Sequence, residues 1–557
     1  MKLGQGDRIN NLKQRHLKLE TLNLYTVFIF LMFILIVSFL IPKNLYSTQN
    51  SRREQSRLFP TTQMIDISDI IKKAKFDRIA IQDRGIIRTL KTYSKMQLGD
   101  IFDKKILEKT VSQSSPGFVY DPMVIYLMMI FDTEFFYDKG LFSLKNESLK
   151  KKFSEAGFNA ILSYNDLNSE AFKKHITEIE IDNRQEALAL NKLLRKKQDF
   201  EKIKENFLIV PDITNTENKW LSINEVLDNE KKEYSEVRTS IIRIEKILRS
   251  KDFNDLETAL ISFVISVKKL RFYPSESYLW IDYVNSTLRP VVWVFVLYLI
   301  GALFFFISAN TQSSLAHLLG LVSLVIGLIT HTAVMIMRYI SVGGMPLSNM
   351  YEATVFCIWG LILFVIIFEL IYKKDIVGLI GSVLSFITYV LINSMPGVTV
   401  EIELVPQILD SPWKTYHVMS IMLSYSAFLL SFGFGVLYLL KDKIGEKKLG
   451  WIPELKILDM YNYLAIKIGI PLLTVGIVTG ALWANVAWGR LWRWDPKETS
   501  ALITWFIYLI YLHLRLNKGW VGKKTAIVSI IGFLAVLFTF LGVNFIISGL
   551  HSYAVGQ

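Results

Sequence analysis

The stretch PVVWVFVLYLIGALFFFISA, residues 290–309, contains twenty residues without a charge. A helix needs about 17–25 mostly apolar residues to cross the hydrocarbon core of a bilayer, so this stretch predicts a transmembrane helix. One similar run precedes it at 22–41, and seven follow, at 315–337, 351–372, 377–393, 417–440, 465–484, 499–516 and 525–547. The sequence therefore predicts an all-α polytopic membrane protein with about nine transmembrane helices.

The composition excludes several other classes of protein. Of the 557 residues, 51% are hydrophobic and 20% are charged, which is too apolar for a disordered chain. Cys357 is the only cysteine, so an internal disulfide, a CxxC redox pair, a CxxCH haem-attachment site and a cysteine metal cage are all excluded. The net charge of +13 is typical of a membrane protein whose cytoplasmic loops carry an excess of lysine and arginine. It therefore does not indicate nucleic-acid binding.

The long segment between the first and second apolar runs has an ordinary polar composition. This segment, 42–289, is long enough to form its own hydrophobic core, so it predicts a large soluble domain. It includes amphipathic pieces such as Ile179–Lys204, but it contains no metal-ligand spacing, nucleophile motif or phosphate-binding loop. By itself this segment indicates no function.

Basic residues predict the orientation of the chain. The leader 1–21 carries five lysines and arginines, and the segments at Lys373–Lys374, Lys441–Lys448 and Arg515–Lys524 would lie on the same side of the membrane. By the positive-inside rule that side is cytoplasmic. The segment 42–289 is then external.

The first apolar run has two interpretations, a cleavable signal peptide or a retained anchor. The run is long and is followed by Pro42-Lys43-Asn44 rather than by small residues typical of a cleavage site. A retained transmembrane anchor over 22–41 is therefore favoured.

Five of the twelve tryptophans lie within 23 residues around an external loop, 483–498. They are Trp483, Trp488, Trp492, Trp494 and Trp505. The charged residues among them are Arg490, Arg493, Asp495, Lys497 and Glu498. Aromatic faces interleaved with cations suit a large planar ligand with carboxylates, such as haem, whereas a tryptophan belt at the membrane interface is the simpler alternative.

Two histidines are predicted at the same membrane surface as this loop. His417 begins one span and His551 follows the last, both at the external side. Imidazole is a common axial ligand of haem iron, although a lone interfacial histidine more often rests at the headgroups. A third histidine, His513, lies deeper in a span, where an ionisable group is usually functional, unless Arg515 marks the inner interface there.

The sequence resembles a known family at this point. Residues 488–505 reproduce the tryptophan-rich "WWD" signature of haem-handling membrane proteins. Among the proteins with this signature, the chain is similar to the CcsA (ResC) family of the System II cytochrome c synthase. Further matching segments are 344–352, Trp413 to His417, and 549–553, while 84–93 is similar to the start of the external domain in longer bacterial members.

The resemblance implies a haem-trafficking synthase in the bacterial cytoplasmic (inner) membrane. Haem b would be bound as a substrate at the external face, and the cysteines of an apocytochrome c CxxCH motif would add to its vinyl groups, a holocytochrome c synthase-type lyase reaction. The residues implied as catalytic are His417, His551, Trp488, Trp492, Trp494 and Asp495. Those implied to bind haem are Trp483, Trp488, Arg490, Trp492, Arg493, Trp494, Lys497 and Trp505, with His417, His551 and His513 as iron ligands.

The resemblance also implies partners. The partner ligand of His513 usually comes from a companion CcsB (ResB)-like component, with His317 as a weaker candidate within the chain. Because Cys357 cannot keep acceptor thiols reduced by itself, a separate thiol-reducing protein is expected.

Two alternatives to the synthase remain. The first is a haem exporter or chaperone that passes haem on without forming the covalent bond. The second, less favoured, is a haem-free polytopic transporter.

Overall fold

The computed structural model describes residues 61–545, apart from 115–120, 215–218, 251, 288, 396–397, 399, 401–410 and 446–448. The predicted leader 1–21, the predicted anchor 22–41 and His551 lie outside the described residues.

Residues 61–287 form a helical region with two small sheets. Its helices are α1 (Thr61–Lys73), α2 (Leu90–Ile101), α3 (Lys104–Ser114), α4 (Pro122–Phe131), α5 (Glu147–Glu155), α6 (Tyr164–Asn168), α7 (Glu170–Glu178), α8 (Arg184–Glu201), α9 (Ile223–Leu227), α10 (Ser235–Ser250), α11 (Leu256–Lys268) and α12 (Glu276–Thr287). Short 3-10 helices lie at Phe76–Arg78, Thr133–Phe136 and Lys232–Tyr234. The amphipathic piece predicted at Ile179–Lys204 corresponds to α8.

The sheets of this region were not predicted. The strands are β1 (Ala80–Asp83), β2 (Ile86–Thr89), β3 (Phe142–Ser143), β4 (Ile161–Leu162), β5 (Leu208–Pro211) and β6 (Trp220–Ser222). An antiparallel four-stranded sheet has the order β2-β1-β5-β6, and β3 pairs with β4. Strand β1 is only four residues long and buried throughout, so it shows no alternation of apolar and polar residues.

Eight helices of the described residues are long and apolar enough to cross a membrane. They are α13 (Pro290–Thr311), α14 (Ser314–Val342), α15 (Met350–Tyr372), α16 (Ile376–Ser394), α17 (Pro412–Ile444), α18 (Leu455–Trp488), α19 (Pro496–Lys518) and α20 (Lys523–Leu537), which continues as a π-helical turn at Phe538–Gly542. A short helix, α21 (Val543–Phe545), follows. The prediction of an all-α polytopic membrane protein is confirmed.

The eight helices pack into one bundle around a shared hydrophobic core. Helix α15 is the most buried, with 67% of its apolar window inside the protein, and it packs against α14, α16 and α17. Helices α17 and α18 form the most extensive helix pair and are 33 and 34 residues long, well beyond the minimum span. Helices α19 and α20 pack beside them. We call the end that carries Trp488–Asp495 the tryptophan end.

Polar contacts join the helices at the end opposite the tryptophan end. Asp375, in the turn between α15 and α16, accepts hydrogen bonds from His317 Nδ1 at 2.7 Å and Ser308 Oγ at 2.9 Å. Arg515 on α19 makes a two-point ion pair with Asp459 on α18, at 2.9 and 2.7 Å. Charged groups near the ends of spans are therefore paired between helices.

Helix α12 connects the region 61–287 to the bundle. The Tyr278 hydroxyl donates to the carbonyl oxygen of Ser341, near the end of α14, at 2.8 Å. On the same helix, the buried Asp282 carboxylate accepts from the Thr89 backbone N–H and hydroxyl and from the Thr92 hydroxyl, at 2.7–2.9 Å. The segment 84–93 therefore includes the contacts that hold α12 in place.

Candidate functional site

An open cavity lies at the tryptophan end of the bundle. Helices α15, α17, α18 and α19 and the turn after α20 all contribute to its wall. The lining residues are Met350, Ala353, His417, Val418, Ile421, Met422, Tyr425, Ile477, Gly480, Ala481, Trp483, Trp492, Lys497, Glu498, Ala501, Thr539 and Phe540. Four residues predicted from sequence, His417, Trp483, Trp492 and Lys497, therefore meet in one mostly apolar cavity.

His417 is half-buried in the second turn of α17. This helix begins with Pro412 after the cap residue Ser411, whose side chain accepts the Trp413 N–H. The imidazole Nδ1 lies 2.7 Å from the carbonyl oxygen of Gly476 on α18. A carbonyl can only accept, so Nδ1 carries the proton and Nε2 of the neutral ring carries the lone pair.

The imidazole lies in a gap that Gly480 leaves on α18. A Cβ atom at Gly480 would lie 2.6 Å from His417 Nδ1 and 2.7 Å from Cε1. Gly476, one turn earlier, approaches Ile421 in the same way. The ring of Trp483 packs beside the imidazole, with centroids 5.9 Å apart. The close approach of α17 and α18 therefore positions the histidine ring.

The loop between α18 and α19 is held by two carboxylates. The Asp495 side chain caps α19 by accepting the Lys497 N–H. In turn the Glu498 side chain accepts the Asp495 N–H, which completes a capping box. The same Glu498 oxygen accepts the Arg493 N–H at 2.9 Å. These two backbone groups flank Trp494, which has a positive φ of 57°. Glu498 thus stabilises a conformation that is unfavourable for a bulky residue, and both carboxylates shape the loop through backbone N–H groups.

The tryptophans of the loop have different surroundings. Trp483 is buried and its ring lies 5.7 Å from that of Trp488. Trp492 lines the cavity and packs edge-on against Trp494, which is 70% exposed. Trp505 lies further along α19, where its Nε1 donates to Thr474 on α18 at 2.8 Å, so its indole N–H serves a helix–helix contact.

The predicted cations also separate into groups. Lys497 lines the cavity, and its Nζ donates to Asn544 Oδ1 at 3.2 Å. Arg493 donates to the carbonyl oxygen of Trp488 at 2.7 Å and so closes the loop. Arg490 is exposed. Of the three, only Lys497 contributes to the cavity wall.

The segment 344–352 has a structural role beside the cavity. Asn349 caps α15 through the Glu352 N–H, and Glu352 is buried and pairs with Arg338 at 3.0 Å. These contacts fix the first turn of α15, which presents Met350 and Ala353 to the cavity.

Three other histidines on the described bundle helices lie outside the cavity wall. His513 is exposed on α19, with Nδ1 2.9 Å from Asn517 Nδ2. His317 is on α14, which packs against α13 and α15, whereas α19 packs against α18 and α20. The described helices therefore do not bring His317 to His513. His331 is fully buried and bonds to the Tyr298 hydroxyl at 3.1 Å.

Sequence reasoning missed several lining and positioning residues. Gly476 and Gly480 have the small-xxx-small spacing that permits close helix contact, which is the signal that identifies them. Tyr425 and Asn544 belong to apolar or mixed stretches that indicate only spans, and Met350 lies in the segment 344–352, where no role was predicted for it.

Comparisons with known proteins agree with this architecture. Residues 347–551 match the family model described as Cytochrome C assembly protein. The chain is 39% identical over 260 residues to the cytochrome c biogenesis protein CcsA of Guillardia theta, covering 42% of this chain and 85% of that protein. It is 38% identical over 251 residues to CcsA of Prochlorococcus marinus (strain MIT 9301), covering 40% of this chain and 80% of that protein. The chain belongs to the CcsA family.

Membership of the CcsA family assigns the protein a role in cytochrome c biogenesis and confirms the resemblance drawn from the tryptophan-rich motif. Together with the eight apolar helices, it identifies a multi-pass membrane protein. The match to the family model begins at residue 347, close to the start of α15. The family model therefore covers the residues of the cavity but not the region 61–287.

Proposed function

We propose that the cavity binds haem as a substrate and that the protein promotes its covalent attachment to apocytochrome c. The observation that carries this proposal is the hydrogen bond from His417 Nδ1 to Gly476, in a cavity walled by tryptophans. Ligating histidines commonly donate their second ring nitrogen to a carbonyl or carboxylate, which fixes the tautomer and the orientation of the ring. His417 is oriented in the manner of such a ligand.

The chemistry of the cavity wall fits haem. Apolar side chains and two indoles suit the porphyrin plane, and a buried donor, Trp492 Nε1, together with the Lys497 ammonium suits its carboxylates. The family-implied second iron ligand, His551, follows the turn after α20, whose residues Thr539 and Phe540 line the same cavity.

The proposed reaction needs little acid–base machinery. Each cysteine S–H adds across one vinyl double bond, forming a C–S bond at one carbon and a C–H bond at the other, and nothing is oxidised or released. Holding haem and the acceptor peptide together supplies effective molarity, worth about 7–11 kcal/mol in well-oriented cases. His417 would fix the iron and the indoles would fix the plane of the ring.

The thiols of this reaction would come from the acceptor. Cys357 is buried on α15 beside Ser426, whose hydroxyl lies 3.5 Å from Sγ. An apocytochrome with a CxxCH motif is therefore the proposed partner, and a separate protein would keep its cysteines reduced.

We further propose that His513 serves a second, internal haem site whose other ligand comes from a CcsB-like component. Its exposure on α19 supports this, because an exposed ring is accessible to a neighbouring subunit. We also propose that the tryptophan end faces the external side of a bacterial inner membrane and that 42–289 is an external domain. The basic segments at the opposite end support this orientation.

Reconstitution of the purified protein with haem and a reduced CxxCH peptide tests the proposal. The expected product is a peptide with acid-stable, covalently bound haem, formed faster than in the absence of the protein. Haem binding without acceleration of bond formation would instead indicate an exporter or chaperone. A protein that binds no haem under these conditions would contradict both.

A further inference from the structure

Trp492, which lines the cavity, carries a buried polar donor that has no partner among the described residues. Among the residues that the structure describes, Trp492 Nε1 is buried and has no hydrogen-bond acceptor within reach. By contrast, Trp505 donates to Thr474 and Trp359 donates to Thr332. A buried N–H without an acceptor has lost its hydration without replacement, so such groups are rare and need an explanation.

The position of Trp492 suggests what its acceptor would be. Its ring and the Lys497 side chain line the same cavity. A protonated lysine has three N–H donors and no acceptor, and Trp Nε1 is a donor only. An indole N–H and an ammonium group in one apolar cavity are complementary to an anion with two oxygen acceptors, which is the geometry of a carboxylate.

We propose that Trp492 Nε1 and Lys497 Nζ together bind one propionate carboxylate of haem. The proposal deepens the function proposed above and rests on it. It gives Trp492 a different role from Trp483. The Trp483 ring lies beside the His417 imidazole, tilted by 31° to it, whereas Trp492 would recognise the edge of the porphyrin through its N–H. The cavity would then distinguish haem from porphyrins whose carboxylates are blocked.

The surrounding contacts hold both donors in place. Lys497 lies in the first turn of α19, behind the cap residue Asp495, and its Nζ is tied to Asn544. Trp492 is followed after one residue by the Trp494 turn that Glu498 stabilises. The donors are therefore presented by a preorganised loop and helix start, which lowers the entropy cost of binding a carboxylate.

The test compares protohaem with its dimethyl ester on the full-length protein in detergent, with affinity measured from the Soret absorbance. Trp492→Phe keeps an aromatic ring and removes the N–H. We expect it to weaken protohaem binding about tenfold or more, since charge-assisted hydrogen bonds are among the strongest, while it changes binding of the dimethyl ester less than threefold. Lys497→Gln should give the same pattern and serves as the second variant.

Trp413→Phe is the matched control. Trp413 lies on the first turn of α17 with 39% exposure and outside the cavity wall, so this substitution should leave both affinities unchanged. Equal losses for protohaem and the dimethyl ester in Trp492→Phe would mean that the ring only packs against the porphyrin, and this would overturn the inference. Unchanged affinities in both variants would overturn it as well. If the wild-type protein bound neither porphyrin, the proposed function itself would fail.

Discussion

His417 Nδ1 lies 2.7 Å from the carbonyl oxygen of Gly476, so the imidazole of one helix is bonded to the backbone of the next. The bond joins α17 and α18, the most extensive helix pair of the bundle. It places the proton on Nδ1 and leaves Nε2 as the basic nitrogen of the neutral ring. The packing of two membrane helices thereby determines the chemical state of the central residue of the site.

The first prediction concerns the glycine that makes room for this ring. Gly480→Ala would place Cβ 2.6 Å from His417 Nδ1, an overlap that the ring can relieve only by moving. We expect haem affinity, measured by Soret titration, to fall about tenfold or more. Gly469→Ala on the same helix is the control, because its Cβ would overlap the ring of Phe428, which is not part of the cavity wall. It should lower thermal stability without changing the haem spectrum, and identical spectra for both variants would refute the positioning role.

The second prediction concerns the strained turn at Trp494. Glu498→Ala removes the oxygen that accepts the Arg493 and Asp495 N–H groups. Loss of a helix cap costs about 0.5–2 kcal/mol, so hydrogen exchange of these two amides should accelerate several-fold. Glu498→Gln retains an acceptor oxygen and should change exchange much less. Equal exchange in Glu498→Ala and the wild type would show that the loop holds its shape without this carboxylate.

The third prediction concerns the attachment of the region 61–287 to the bundle. Asp282→Ala leaves the buried Thr89 N–H without its acceptor. We expect the free energy of opening of α12 and β2, measured by hydrogen exchange, to fall by about 2–4 kcal/mol. Asp255→Ala removes an exposed ion pair with Arg243 and should cost less than about 0.5 kcal/mol. Similar effects of the two substitutions would contradict a special role for Asp282.

The fourth prediction concerns the pH dependence of α8. The Lys152 ammonium 2.8 Å from Glu186 lowers the pKa of that carboxyl from its ordinary 4.5 to about 2. A lowered folded-state pKa stabilises the fold above pH 4.5, and the stabilisation is lost as the pH falls through about 2. At pH 6, the backbone amides of α8 should exchange faster in Glu186→Gln than in the wild type. The difference between the two exchange rates should shrink as the pH falls toward 2.

A control for this effect is available on the preceding helix, α7. Glu170 pairs with Lys173 but has an 89% exposed side chain, so Glu170→Gln should have little effect at any pH. A difference between Glu186→Gln and wild type that stays constant from pH 6 to pH 2 would mean that the stabilisation does not come from the ionised carboxylate.

The transmembrane helices could be predicted because apolar length is a direct physical requirement of the bilayer. The ends of the helices were harder to predict. The apolar run 315–337 stops before Arg338, but α14 continues to Val342 because Arg338 pairs with the buried Glu352 of the next helix. A charge that is neutralised by a partner distant in sequence cannot be recognised from local hydropathy.

The sequence could select part of the cavity wall by residue type, but it could not predict how those residues pack. His417 and the tryptophan loop stood out because histidine and clustered indoles are unusual in spans. Gly476 and Gly480 lie in an ordinary apolar run, and their role depends on the side chains that face them, Ile421 and His417. Trp492 and Trp505 also look alike in sequence, yet the N–H of Trp492 is buried without an acceptor among the described residues, whereas that of Trp505 donates to Thr474.

The central claim, that His417 binds haem iron in this cavity, is tested most directly by absorption spectroscopy of His417→Gly with and without added imidazole. The purified wild-type protein supplied with haem should show a bound-haem Soret spectrum, and His417→Gly should lose or shift it. Free imidazole, which can occupy the space left by the missing side chain, should restore the wild-type spectrum. An unchanged spectrum and affinity in His417→Gly without imidazole would contradict the claim.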